Sequence, residues 1–280
     1  MHRSNPNQLK SLDECKSCLL DFFEKKENVA VLTGAGISVG SGIPAYRNAH
    51  GEWKAGQPIS HQDFVEKESA RQRYWLRSYA GWRKVSEAKP SKAHLALQRL
   101  QAGGKISTII TQNVDRLHQS AGSKNVLDLH GRLDQVACLN CAKIYRRSFI
   151  QILLKSQNPF LEESENINPD GDARIESSFL GDVKIPPCKT CGGILKPNVV
   201  FFGESVDKNL VEEAYQSVTN AHALLVIGTS LSIFSGFRFL RHAAKLKLPV
   251  IVINPGRFRG KELTNIYLPH NADDVLSLLV

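Results

Sequence analysis

"VAVLTGAGISVGSGIP", residues 29 to 44, is an apolar run that ends in Gly34-Ala35-Gly36 and continues into residues suited to a helical turn. A buried strand feeding a glycine turn and a helix start is the setting in which backbone amides approach a phosphate. The pattern departs from Gly-x-Gly-x-x-Gly: Val39 stands where the third glycine belongs, and Gly40 falls one place late. No acidic residue marks the end of the next strand. On this motif alone, a dinucleotide site and a plain strand-to-helix turn are both open.

The flanking segments repeat the same theme. Leu12, Cys15, Leu19, Phe22 and Phe23 recur at helical spacing, predicting an amphipathic helix over 8–26. Apolar strands are expected at 28–34, 105–113, 125–131, 222–230 and 248–256. Helices are expected at 92–102, 210–218, 236–247 and 272–280, the last with Asp273 and Asp274 at its positive end. Strands that are apolar throughout, separated by helices, predict an α/β, doubly wound parallel sheet covered on both faces. Five of these strands end in polar clusters: "TGAGIS", "TQNVD", "LHG", "GTS" and "INPG". In an open parallel sheet the ligand crevice lies beyond the carboxyl ends of the strands. The five clusters are therefore expected to converge on one site.

The chain has 280 residues, of which 42% are hydrophobic, enough for a main domain with a smaller insert. No apolar run reaches the length that spans a bilayer, and the N-terminus lacks a signal-peptide pattern. A cytoplasmic protein is expected, or a mitochondrial matrix protein if it is organellar and already processed. The net charge of +9 concentrates in 71–92 and 238–261. Such faces suit polyanions in general but are equally read as a solvated surface.

Six cysteines form three Cys-x-x-Cys pairs. Cys138/Cys141 and Cys188/Cys191 read as two knuckles whose four thiolates complete a tetrahedral Zn²⁺ shell with no open position. Cys15 and Cys18 lie on the amphipathic helix and read as core residues. His130, just ahead of the first knuckle, is then not needed by the metal. It is either a satisfied structural histidine or a crevice base among Gln112, Asn113, Asp115 and His118.

At these residues the sequence resembles the sirtuins, the NAD-dependent protein-lysine deacylases. The resemblance is carried by "GAGISVGSGIPAYR" (34–47), "TQNVDRLHQSAG" (111–122), "LHG" (129–131), both Cys pairs, "KPNVVFFGE" (196–204), "GTSLSIFSG" (228–236) and "INPG" (253–256). Within the family, "RQRYWLRSYAGWRKV", "CGGILKPNVVFFGESV" and the "PDGDA" insert look like class II, a branch with a mitochondrial human member.

The resemblance implies a Rossmann-like NAD domain made of 1–46, 90–135 and 196–280. A cofactor loop and helical segment would occupy 47–89, and a zinc ribbon with its class II loop 136–195. It makes His130 the catalytic base, with Asn113 and Asp115 orienting the nicotinamide ribose and carboxamide, supported by Gln112. Gly34, Ala35 and Gly36 would cradle the pyrophosphate beside Ser38 and Ile43, and Tyr46 and Arg47 would close over it. Gly228, Thr229, Ser230, Asn254 and the backbone near Ala272 would hold the adenosine half. Val199, Val200, Phe201, Phe202, Gly203 and Glu204 would pair with an acyl-lysine peptide as an added strand. The implied cofactors are NAD, consumed as co-substrate, and one structural Zn²⁺; neither a membrane nor nucleic acid is an expected partner.

Ala45 departs from the family pattern, which has an acidic residue there and thus a carboxylate on the cofactor loop. Tyr74 and Arg77 resemble a pair that grips acidic acyl chains, so acidic or branched acyl groups are expected. The same residues also read as part of a basic surface turn. Two rival functions stay open: protein ADP-ribosyl transfer at the same site, and a zinc-ribbon module that binds nucleic acid.

Overall fold

The structure, a computed structural model, describes residues 6–45, 59–164, 166–168, 172–173 and 180–279. Strands in chain order are β1 (Asn7–Gln8), β2 (Val29–Thr33), β3 (Ile106–Thr111), β4 (Val126–Asp128), β5 (Gly131–Cys138), β6 (Ile144–Arg146), β7 (Leu195–Val199), β8 (Ala223–Ile227), β9 (Val250–Ile253) and β10 (Ile266–Leu268). The helices are α1 (Leu12–Lys25), α2 (His61–Glu66), α3 (Glu68–Glu87), α4 (Lys92–Ala102), α5 (Leu117–Ser120), α6 (Arg147–Gln157), α7 (Lys208–Thr219), α8 (Phe234–Lys245) and α9 (Ala272–Leu276).

The larger sheet is parallel throughout, in the order β1-β10-β9-β8-β2-β3-β4. From β2 the chain runs outward through β3 and β4, then returns to β8 and runs outward the other way. The order thus reverses between β2 and β8, and a crevice opens at their carboxyl ends. Both strands are buried along their whole length, which their uninterrupted apolar sequences require. Helices α1, α4 and α9 cover one face with Leu19, Phe22, Leu97 and Val275, while α7 and α8 cover the other with Val218, Phe239 and Leu240. Each such side chain contributes about 1.5–3 kcal/mol on burial.

The ends of elements are set by local chemistry. Ser11 and Glu14 form a capping box that starts α1 at Leu12. The predicted helix begins at 8, but Asn7 and Gln8 instead pair with Ile266 and Tyr267 as an edge strand. The Asp273 carboxylate accepts from the Ala93 amide at 2.8 Å, so it caps the start of α4 as well as lying in the first turn of α9. The expected closing helix ends early, in a 3₁₀ turn over Ser277–Leu279.

The second body is an antiparallel sheet in the order β6-β5-β7. It shares one core with α2, α3 and α6, built from Phe64, Tyr74, Trp75, Val136, Ile150, Leu154 and Phe201. Arg147 is buried there between the rings of Trp75 and Trp82 and donates to the Ser78 carbonyl. Burial pulls its pKa down to about 10, so it stays charged at neutral pH. No helix among the described residues is long and apolar enough to cross a membrane.

Candidate active site

The carboxyl ends of the large sheet open into a cleft of about 750 Å³. All five polar strand ends reach it: Gly34, Ala35 and Gly36 after β2, Gln112 and Asn113 after β3, His130 after β4, Gly228, Thr229 and Ser230 after β8, and Asn254 after β9. The opposite wall comes from Tyr74 of α3 and the turn that leaves β7, Val199 through Glu204.

The glycine turn is a 3₁₀ turn over Ala35–Ser41. Its glycines serve close packing as well as ligand approach. The Gly36 amide donates to the Gly228 carbonyl at 2.8 Å. A Cβ on Gly228 would sit 2.6 Å from the Ile37 nitrogen, and Gly228 has φ +62. Backbone cannot move aside as a side chain can, and a displacement of about 1 Å in a site costs roughly 10²-fold. Gly228→Ala is therefore expected to weaken binding of a dinucleotide-sized ligand in this cleft about 100-fold, measured by calorimetry. Affinity within threefold of wild type would contradict this account.

Behind the turn lies a network of short bonds. Asn113 Nδ2 donates to Ser38 Oγ at 3.0 Å and to the Gly34 carbonyl at 3.2 Å, and Ser38 Oγ donates to Asp115 Oδ2 at 2.7 Å. The other Asp115 oxygen accepts from the Leu117 amide at 2.9 Å. Burial pushes the Asp115 carboxyl up from its ordinary value, against the lowering effect of these donors. Of the side chains in this network only that of Asn113 lines the cleft; Ser38, Asp115 and the buried Ile43 stand behind it. Ala272 is likewise buried behind the cleft wall, which Asn271 reaches instead. Tyr46 and Arg47 lie outside the described residues.

His130 is half-buried and held at both ring nitrogens. Nδ1 lies 3.0 Å from the Gln112 carbonyl and Nε2 lies 2.8 Å from Ser235 Oγ. Burial lowers its pKa, and the nearby Arg238 charge lowers it further, against the raising effect of the Gln112 carbonyl. The imidazole is therefore neutral near pH 7 and able to take a proton. His118 is different: it is buried beneath the site, bonded to Thr33 Oγ1 at 2.9 Å, and its pKa is driven well down by burial.

The turn after β7 is closed on itself. The Phe201 amide donates to Glu204 Oε2 at 2.8 Å, Val200 donates to the His130 carbonyl at 2.8 Å, and Phe202 accepts from the His61 amide at 2.9 Å. Lys196 pairs with Glu204 at 2.9 Å beneath it.

Tyr74 is buried on the cleft wall, in edge contact with Phe64 and against Phe201. Arg77, one helical turn on, is not among the lining residues. Its Nε donates to the Ala173 carbonyl at 3.1 Å, and the Ala173 amide returns a bond to the Arg77 carbonyl. This docking brings the neighbouring Asp172 onto the cleft wall. Asp172, Ser235, Arg238 and Arg257 all line the cleft and are additions to the residues expected from the sequence. Ser235 lies inside the quoted "GTSLSIFSG" run, and its hydroxyl was the available signal. Nothing periodic marks Asp172.

The four knuckle cysteines lie away from this chemistry, with all ligand atoms within 4.8 Å of one another. Sulfur separations of 3.5 Å (Cys138–Cys191) and 3.7 Å (Cys141–Cys188) fit the edge of a tetrahedron with bonds of about 2.3 Å, roughly 3.8 Å. The amides of Asn140 and Thr190 donate to Cys138 Sγ and Cys188 Sγ at 3.4 Å. The site fits a structural zinc ion. Cys15 is buried in the core beside α4, as its helical spacing predicts, with Cys18 half-buried on the same helix.

A dinucleotide fits the cleft on two observations. Gly34 and Gly36 let the turn lie so close to Thr229 and Gly228 that added Cβ atoms would come within 2.6 Å of them, which brings the backbone of both loops together on the cleft wall. Arg238 Nε is buried on the cleft wall with no hydrogen-bond partner among the described residues, which suits an anionic ligand.

The Sir2 family model matches residues 34–235. The chain is 45% identical over 263 residues to NAD-dependent protein deacetylase 2 of Bradyrhizobium diazoefficiens, covering 94% of this chain and 96% of that one. It is 46% identical over 262 residues to the NAD-dependent protein deacetylase of Xanthomonas axonopodis pv. citri, covering 93% and 89%. Among solved structures it resembles Sir2 with a peptide and NAD+ at a TM-score of 0.74 and 26% identity, covering 92% of this chain and 94% of that one. It also resembles Sir2 bound to an acetylated peptide, with the same score and identity and coverage of 93% and 94%.

Proposed function

The chain belongs to the Sir2 family, and from that premise we propose how this NAD-dependent protein deacetylase divides its work among its residues. The observation that carries the reading is His130: a neutral imidazole on the cleft wall, its Nδ1 tied to the Gln112 carbonyl and its Nε2, beside Ser235, left as the ring's proton acceptor. Bound NAD would supply an electrophilic ribose carbon for the acyl oxygen, and with one water consumed the products are nicotinamide, acyl-ADP-ribose and free lysine.

His130 takes the ribose hydroxyl proton at Nε2. Gly34, Ala35 and Gly36 hold the pyrophosphate, with Arg238 as the nearby cation. Gly228, Thr229, Ser230 and Asn254 hold the adenosine half. Asp115 acts through Ser38, whose hydroxyl fixes the Asn113 amide that faces the nicotinamide ribose. The peptide lies along Val199–Glu204. The expected boundaries at 135/136 and 195/196 cut through β5 and β7; with those strands kept whole, the zinc module takes in Gly131–Val199, and the cofactor domain ends before it and resumes after it. The test is a product assay by mass spectrometry with NAD and an acetyl-lysine peptide. Nicotinamide, acetyl-ADP-ribose and lysine should appear in equal amounts; modified protein without lysine release would instead mean ADP-ribosyl transfer.

For the acyl group, the branched half of the expectation suits a cleft walled by Tyr74, Val199 and Phe201, and the acidic half does not suit Asp172. An acidic side chain on the wall repels an acyl carboxylate, and like-charge juxtaposition costs several kcal/mol. Arg77, the expected partner of such a carboxylate, is turned to Ala173. Uncharged acyl groups are the proposed class. Asp172→Asn should raise activity on succinyl-lysine relative to acetyl-lysine about tenfold. A wild-type preference for succinyl-lysine would end this assignment.

A further inference from the structure

One atom fixes the tautomer of His130. The Gln112 carbonyl can only accept, so Nδ1 carries the hydrogen and Nε2 holds the lone pair. The group facing that lone pair is the Ser235 hydroxyl at 2.8 Å, which must donate to it. Ser235 is the second residue of α8, and this helix start is locked against the end of β3. A Cβ on Gly236 would meet Gln112 Oε1 at 2.7 Å, so the glutamine side chain packs directly on the helix backbone. Gln112 Nε2 in turn donates to Thr229 Oγ1 at 3.0 Å. The carbonyl, the ring and the hydroxyl therefore belong to one packed unit built from three elements.

We propose that Ser235 is a positioning residue for His130, holding the ring through both of its protonation states. In the neutral ring the hydroxyl donates to Nε2. For the transfer the ribose hydroxyl takes over that single lone pair from Ser235. Once Nε2 carries the proton it becomes a donor, and the Ser235 hydroxyl, turned about its own Cβ–Oγ bond, accepts from it. A backbone carbonyl or amide at that place could serve only one of the two states. Without the hydroxyl the ring is held from one side, and its free end can leave the line of the incoming ribose hydroxyl.

The inference rests on His130 being the base, and that base acts only after nicotinamide has left. Two readouts therefore separate it from a structural role: exchange of labelled nicotinamide into NAD, which precedes the base step, and lysine release, which follows it. In Ser235→Ala, lysine release should fall about tenfold while exchange and the KM for NAD stay within about twofold of wild type. Ser235→Thr, which keeps a hydroxyl, should recover at least half of the lost rate and guards against a variant that folds badly. Lysine release at the wild-type rate in Ser235→Ala, or an equal loss of both readouts, would overturn the proposal. Absence of exchange and lysine release in the wild type would instead overturn the deacetylase reading, and the proposal with it.

Discussion

His130→Ala is expected to lower lysine release by 10²- to 10⁴-fold, the usual contribution of a positioned general base. NAD binding should be kept, because the glycine turn and the Asn113–Ser38–Asp115 network do not pass through the imidazole. The pH dependence gives an independent check. Burial and Arg238 hold the wild-type pKa below the ordinary value of 6.5, so the base form persists as pH falls through 6.5. The wild-type rate should decline only below that point, as Nε2 fills with a proton, and the residual rate of the variant should lack this acid limb. A variant that keeps more than a tenth of the wild-type rate would remove His130 from the mechanism.

Removing the metal should also lower the rate, by a different route. A structural zinc site is worth about 10 kcal/mol or more in small metal-bound folds, comparable to the whole stability of a typical domain. Cys138 and Cys188 lie within the core that α2, α3 and α6 share with β5 and β7. Chelation, or Cys188→Ser, should therefore cost hydrogen-exchange protection across β5 and β7 and reduce lysine release at least 20-fold. Metal content and exchange should be measured on the same sample. A metal-free protein with intact protection and activity would show the four sulfurs to be dispensable.

Much of the large sheet was legible because its central strands are buried on both faces and read as unbroken apolar runs: Val29–Thr33, Ala223–Ile227 and Val250–Ile253. Their polar ends then pointed to the cleft. The outer two strands on the β1 side were not legible. Asn7–Gln8 is too short and polar to carry a period, and Ile266–Leu268 is only three residues long. Helix α3 hid its extent because its buried face includes Ser78, Ala80 and Gly81 as well as Trp75 and Tyr79, so small residues interrupt the apolar stripe. The candidate site divides the same way. His130, Gln112 and Asn113 sit in local strand-end patterns, whereas the Ser235 contact joins residues 105 positions apart. Arg77 shows the limit of spacing: a helical turn places it beside Tyr74, but a carbonyl from another segment decides where its guanidinium goes.

The two knuckles also have a consequence for how this chain can vary. Held by one ion, Cys138 and Cys141 at one end and Cys188 and Cys191 at the other turn residues 142–187 into a closed loop whose ends are pinned together. Widening such a loop costs only about 0.6 kcal/mol for each doubling of its length. The strands on either side have no such latitude. In β5 and β7 a slip of one residue reverses every side chain, and these strands lead from the four cysteines to His130 and Val199. Insertions and exchanges are thus channelled into the segment that carries Asp172 to the cleft wall, and that wall can be rewritten while His130 and the glycine turn keep their places.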